Sequence, residues 1–124
     1  MLIGTIASCF LKQDRTTVVY GSITDQKGQP VDSILVMASG LKFYNGTVLS
    51  ETYSSSTGEF ELVVEVPKKY SAINVEIPFL PVRNAKFEAN YVGFKIQKDD
   101  KSTNNCCVAS IGKKTKYDFQ LIPK

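Results

Sequence analysis

A two-residue alternation runs through much of this chain. Phe60, Leu62, Val64 and Val66 fall on one side of the repeat, with Glu59, Glu61, Val63 and Glu65 on the other. Successive side chains of a strand point to opposite faces, so this spacing predicts a half-buried strand with a solvated row of carboxylates. Lys116-Tyr117-Asp118-Phe119-Gln120-Leu121 alternates in the same way, as does Tyr70 to Ile77, which groups Ile73, Val75 and Ile77. Thr16 to Thr24 is rich in β-branched residues and predicts another strand. Ser33 to Ser39 contains Ile34-Leu35-Val36-Met37-Ala38, apolar on both faces, which predicts a central strand. Lys86 to Gln97 and Cys106 to Ile111 read as further strands, and no segment carries a capped 3.6-residue period. Seven or eight short strands predict an all-β fold, a single antiparallel or mixed β-sandwich. Its core is expected to hold Val18 or Val19, Ile23, Val36, Phe60, Leu62, Val64, Phe119 and Leu121.

The breaks between these runs carry turn chemistry. Asp25-Gln26-Lys27-Gly28 predicts a tight turn in which Gly28 takes a positive φ, and Pro30 belongs at a strand margin because it cannot donate to a ladder. Asn45-Gly46 predicts a hairpin joining Leu41-Lys42-Phe43-Tyr44 to Thr47-Val48-Leu49. That turn accounts for the glycosylation sequon Asn45-Gly46-Thr47. Pro78-Phe79-Leu80-Pro81 cannot be a central strand. It reads as a crossing loop whose Phe79 and Leu80 close the open end of the core, with an exposed contact patch as the alternative.

Composition narrows the chemistry. The chain has 124 residues, enough for one domain, with 15 basic and 12 acidic residues for a net charge of +3. This is too mild a bias for a nucleic-acid partner. Histidine is absent. That removes the commonest general base and metal ligand and leaves carboxylates, Lys and Tyr for any acid–base work. Asp25, Glu51, Glu59, Asp99 and Asp100 are the carboxylates that could pair, but most fall in turns or on the solvated face. The expectation is therefore no enzyme, no catalytic residue, no cofactor and no metal. Cys106 and Cys107 read as two free thiols at the start of a strand, since a bridge between neighbours is strained. With no Trp, stacking on a ligand falls to Tyr and Phe. Phe43, Tyr44, Tyr53 and Phe79 are the candidate ligand-contact aromatics.

The N-terminus offers a different signal. Ile6-Ala7-Ser8-Cys9 resembles a bacterial lipobox, in which small residues precede a cysteine that receives diacylglycerol. Two or more acyl chains then hold a protein on a membrane where one does not. The apolar stretch before Cys9 is shorter than a signal peptide, and no Lys or Arg precedes it. Two readings stay open. In one, residues 1–9 are a truncated lipoprotein signal, 10–15 a linker and 16–124 the domain. In the other, Ile3 to Leu11 is an ordinary first strand or a loose end.

Three motifs stand in order: Gly21-x-Ile23-Thr24-Asp25-x-x-Gly28-x-Pro30-Val31, then Thr57-Gly58-Glu59-Phe60-x-Leu62, then Tyr91-Val92-Gly93-Phe94-Lys95. Together they resemble the carboxypeptidase regulatory-like domain, a transthyretin-like (prealbumin-like) β-sandwich. The resemblance implies a Greek key topology and motif residues that serve turns and core rather than catalysis. The enzymatic branch of that fold, the hydroxyisourate hydrolases, uses histidines and an Arg-rich C-terminal tetrapeptide. This chain has no histidine and reads Leu121-Ile122-Pro123-Lys124 there. The resemblance also points to envelope proteins of Bacteroidetes-type bacteria. Asp32-Ser33-Ile34 likewise resembles their short O-glycosylation acceptor, though Ser33 reads first as a residue leading into a strand.

The resulting expectation is a non-enzymatic binding or assembly module of the cell envelope. It would be a lipoprotein anchored at Cys9 in the outer membrane, facing the periplasm or the cell surface, with an envelope protein or a glycan as partner. The alternative is a carbohydrate-binding module that uses the exposed aromatics. A carboxylate-based enzyme ranks third.

Overall fold

The computed structural model describes residues 14–42, 45–103 and 107–124. Its strands are β1 (Thr16–Thr24), β2 (Leu35–Lys42), β3 (Asn45–Tyr53), β4 (Glu59–Glu65), β5 (Ala72–Glu76), β6 (Tyr91–Lys98), β7 (Lys101–Thr103), β8 (Val108–Ala109) and β9 (Lys114–Pro123). One short helix, α1 (Ala85–Asn90), precedes β6. Five strands form a sheet in the order β4-β1-β9-β6-β7, and four form a second in the order β3-β2-β5-β8. The protein is an all-β sandwich.

The core follows the alternation. Phe60, Leu62 and Val64 of β4 are buried and their Glu neighbours exposed. Thr115, Tyr117, Phe119 and Leu121 of β9 turn inward likewise. Val19, Ile23 and Val36 join them, so every expected core position is buried. On β2 the central position is also as expected: Val36 and Ala38 belong to the core cluster, while Leu35 and Met37 are buried on the other side. Burial pushes the Tyr117 phenol above its ordinary pKa, with the charge of Asp99 as a second cause. Its hydroxyl donates to the carbonyl of Val108 at 2.8 Å.

β1 pairs antiparallel with β4 but parallel with β9, so the first and last of these strands lie side by side. At Gly21 the two approach so closely that a Cβ would stand 1.8 Å from the carbonyl oxygen of Tyr117. The first turn motif works through its acid. One carboxylate oxygen of Asp25 accepts from the amides of Lys27 and Gln29 at 2.8 and 2.9 Å, and Gly28 takes φ +80°. The second motif locks onto the first: the amide of Ile23 donates to the carbonyl of Gly58 at 2.7 Å.

These pairings give the sandwich two unlike ends. β1 and β9 begin, and β4 finishes, at what we call the proximal end. The distal end holds the starts of β2 and β6, the finish of β3 and the loop from β5 to α1.

Several expectations are corrected. Residues 85–90 are helical rather than the start of a strand. Ala, Lys and Glu favour helix there, and a single buried residue, Phe87, gives no repeat from which a period could be read. The hairpin turn does not fall on Asn45-Gly46. Lys42 pairs with Asn45 and Leu41 with Gly46, so these residues are strand and the connection lies at positions 43–44, outside the described residues. A register shift between Ala38 and Ser39, opposite the extra residue Leu49, helps set this pairing. Ser33 precedes β2 with φ 62° instead of leading it. Cys107 is buried and disulfide-bonded, not a free thiol, and its partner lies outside the described residues. The chain has three cysteines. A lipid-modified Cys9 and an unbridged Cys106–Cys107 pair therefore cannot both hold.

The glycines separate by cause. Gly21→Ala should cost about 3 kcal/mol or more in urea denaturation, because neither backbone can give way. Gly28→Ala meets no atom within 4 Å and should cost only about 1 kcal/mol, for its positive φ. Equal losses at the two positions would contradict the β1–β9 geometry.

Candidate functional site

The distal end is built around one buried amide. Pro78 and Pro81 restrict the loop and remove two donors, so it cannot extend the sheet. Asn84 closes it. This side chain is 1 % exposed and accepts from the amide of Leu35 at 2.8 Å. Its Nδ2 donates to the carbonyls of Leu35 at 3.3 Å and Pro78 at 2.8 Å. Its backbone carbonyl accepts from Glu88 at 3.0 Å, which opens α1. One residue thus ties loop, helix and β2 together.

Phe79 rides on this frame. Its ring packs on Phe87 at a centroid distance of 4.7 Å, yet the residue is 54 % exposed. Phe87 lies 6.4 Å from Phe94, and Phe94 meets Phe119 edge-on at 5.0 Å. Phe79 therefore closes the core with one face and offers the other to solvent, which joins the two sequence alternatives.

Tyr53 belongs to the same end. It pairs with Leu35 in the β2–β3 ladder and is 49 % exposed. Its hydroxyl donates to the carbonyl of Arg83 at 2.7 Å, and Arg83 forms an ion pair with Glu51. Val82, between these groups in the loop, is 87 % exposed. Val92 and Ile122 add exposed apolar surface at the start of β6 and the end of β9. Of the predicted aromatics, Tyr53 and Phe79 are thus held in one region; Phe43 and Tyr44 lie outside the described residues, as does Cys9.

The neighbouring ion pair fastens α1 from its outer side. Lys86 Nζ lies 2.6 Å from Asp32, and this bond, followed by that from Ser33, holds the Asp32 carboxyl below its ordinary pKa. Ser33 is exposed, with its hydroxyl donating to Asp32 at 2.8 Å.

The carboxylates considered for catalysis are engaged separately. Asp25 caps its turn, Glu51 holds Arg83 and Glu59 accepts from Thr57. Asp99 accepts from the amide of Lys116, whose Nζ is bonded to Asp100. A groove of about 240 Å³ crosses the outer face of the larger sheet between Thr24, Lys95, Gln97, Ser102, Asp118 and Gln120. Its acid, Asp118, is bonded to the amide and hydroxyl of Ser22. Sequence reasoning missed Asn84. An Asn beside a proline-rich loop and before a helix-forming run was the available signal.

Comparison with models of known protein families, with curated proteins and with solved structures gave no match.

Truncating the central amide tests this construction. Asn84→Ala leaves the buried amide of Leu35 without its acceptor and should cost about 2–3 kcal/mol. Limited proteolysis should then cut between Pro78 and Arg83 faster than in the parent. Unchanged stability and unchanged cleavage would show that the loop is held by other contacts.

Proposed function

We propose that this chain is a non-enzymatic β-sandwich module that binds or assembles with another component of a bacterial cell envelope through its distal end. The observation that carries the reading is that half-exposed Tyr53 and Phe79, with exposed Val82, lie on the loop and strand end fixed by Asn84 and Arg83. A ring whose underside is packed loses little freedom on contact, which favours recognition. The bonding of each candidate carboxylate to a local partner supports binding over catalysis. The three motifs support kinship with the carboxypeptidase regulatory-like domain. Asp25, Gly28 and Gly58 play the structural parts that such kinship implies.

The envelope assignment rests on Ile6-Ala7-Ser8-Cys9 as a lipobox and on the bridged Cys107, since disulfides persist in oxidising compartments. A thioether at Cys9 uses that sulfur, so the anchor reading leaves Cys107 only the strained bridge to its neighbour Cys106 within the chain and reverses the expectation that the two are unbonded. Disulfide mapping of the native protein should find Cys106–Cys107, and radioactive palmitate should label the chain in a manner lost in Cys9→Ala. A Cys9–Cys107 bridge or an unlabelled soluble product would defeat the anchor.

Carbohydrate binding is the second reading, favoured by the same two rings. Titrating the labelled protein with a panel of soluble glycans separates the two. The carbohydrate reading predicts amide shifts around Tyr53 and Phe79, weakened at least tenfold in Phe79→Ala. The assembly reading predicts no shifts with glycans, and a discrete adduct from a photoreactive residue at Phe79 in intact envelopes, suppressed by Val82→Asp. Neither shifts nor adduct would contradict the distal end as a contact surface.

A further inference from the structure

We propose that the proximal end is a second working surface that docks on an anionic lipid bilayer, so that the distal end faces away from the membrane. The proposal rests on the envelope reading and adds to it a surface, an orientation and a partner.

Backbone bonds bring the basic residues to this end. The Arg15 guanidinium donates to the carbonyls of Val66 at 2.9 Å and Pro67 at 3.2 Å, and to that of Tyr70. This pins the loop that carries Lys68 and Lys69. The amide of Val18 donates to the carbonyl of Lys113 at 3.0 Å, and that of Gly112 to the Thr17 hydroxyl at 2.9 Å. The turn carrying Lys113 and Lys114 is thereby set beside the start of β1. Ser71 donates to the carbonyl of Leu41 at 3.3 Å, which places Lys42 at the same end. All five lysines are exposed. The ion pairs among the described residues use Arg83, Lys86 and Lys116 instead.

The balance of charge is uneven as a result. Nine of the chain's 15 basic residues (Arg15, the five lysines, and Lys98, Lys101 and Lys116 around the β6–β7 turn) and four of its 12 acidic ones (Asp14, Glu65, Asp99 and Asp100) lie here. This end carries +5, and the rest of a chain of net charge +3 carries −2. The acids are bonded locally, Asp14 to the amide of Thr16, Glu65 to its hydroxyl, and Asp99 and Asp100 to Lys116. The carbonyls around Arg15 absorb part of its charge, which leaves the lysines as the outward field.

Two observations select a lipid surface as the occupant. The first is charge: each basic group close to an anionic bilayer strengthens attachment about fivefold. The second is continuity. The chain enters the sandwich at Asp14 and Arg15, at this same end, and the preceding Met1 to Leu11 is apolar but for Thr5 and Ser8. An apolar or acylated leader feeding into a basic end supplies the two signals that stable membrane attachment needs.

The test uses the full chain, purified without acylation, floated with vesicles of phosphatidylcholine alone or doped with phosphatidylglycerol. It should float with the anionic vesicles and be released as salt rises. Lys68→Glu/Lys69→Glu and Lys113→Glu/Lys114→Glu should each weaken flotation by about tenfold or more, with melting curves unchanged. Lys27→Glu/Lys124→Glu, at the distal end, should leave it intact. Equal flotation with neutral vesicles, equal loss from the distal pair, or retention on a soluble polyanion with no flotation would each overturn the proposal. Palmitate labelling is scored apart: label without flotation defeats this surface alone, and flotation without label defeats the anchor alone.

Discussion

The parallel pairing of β1 with β9 is the constraint on which the rest depends. It joins positions about a hundred residues apart at the centre of the larger sheet, with Val18 beside Lys114 and Thr24 beside Gln120. Such a contact costs chain entropy that no local pairing offsets. It also requires Gly21, because no side chain fits against the Tyr117 carbonyl. Both ends of the molecule inherit their layout from it. At the proximal end it places the Lys113–Lys114 turn beside the point where the chain enters. At the distal end it sets the close of β9 next to the interlocked turns of Asp25 and Gly58, where Gln120 reaches the carbonyl of Asp25.

Surface chemistry divides along the same axis. The proximal end gathers lysines on loops held by Arg15 and Thr17, while the distal end gathers half-exposed aromatic and aliphatic groups around Asn84. Phe79 is the outermost of a series of rings that continues through Phe87 and Phe94 to Phe119 in the core. That continuity explains how a large apolar group stays ordered at the surface. The proposed module, facing a membrane with one end and a partner with the other, would use both halves.

Much of this was legible in the sequence, for physical reasons that also mark the limits. The alternation of β4 and β9 and the Asp25–Gly28 turn are local properties, set by strand period and by φ, and they appear as expected. So do Ile73, Val75 and Ile77. The parallel β1–β9 contact is non-local, and no pattern in either strand announces it. The helix at 85–90 is under two turns, too short for its period to outweigh the strand-like residues that follow. The β2–β3 turn was misplaced because an Asn-Gly pair is a local preference, whereas register also answers to the bulge opposite Ala38 and Ser39. The sequence places Asn84 beside a proline-rich loop and ahead of a helix-forming run, but its role depends on partners, Leu35 and Pro78, that come together only in the folded chain. Tyr53 and Phe79 were picked out by residue type alone, and their shared frame supplies the reason that type could not.

The central claim is the division of labour between the two ends, and paramagnetic relaxation from spin-labelled lipids in anionic nanodiscs tests it most directly. The account predicts strong broadening of the amides of Arg15, Lys42, Lys68, Lys69, Lys113 and Lys114, with those of Tyr53, Phe79, Val82 and Asn84 left sharp. Uniform broadening, or broadening concentrated on Tyr53 to Asn84, would contradict it.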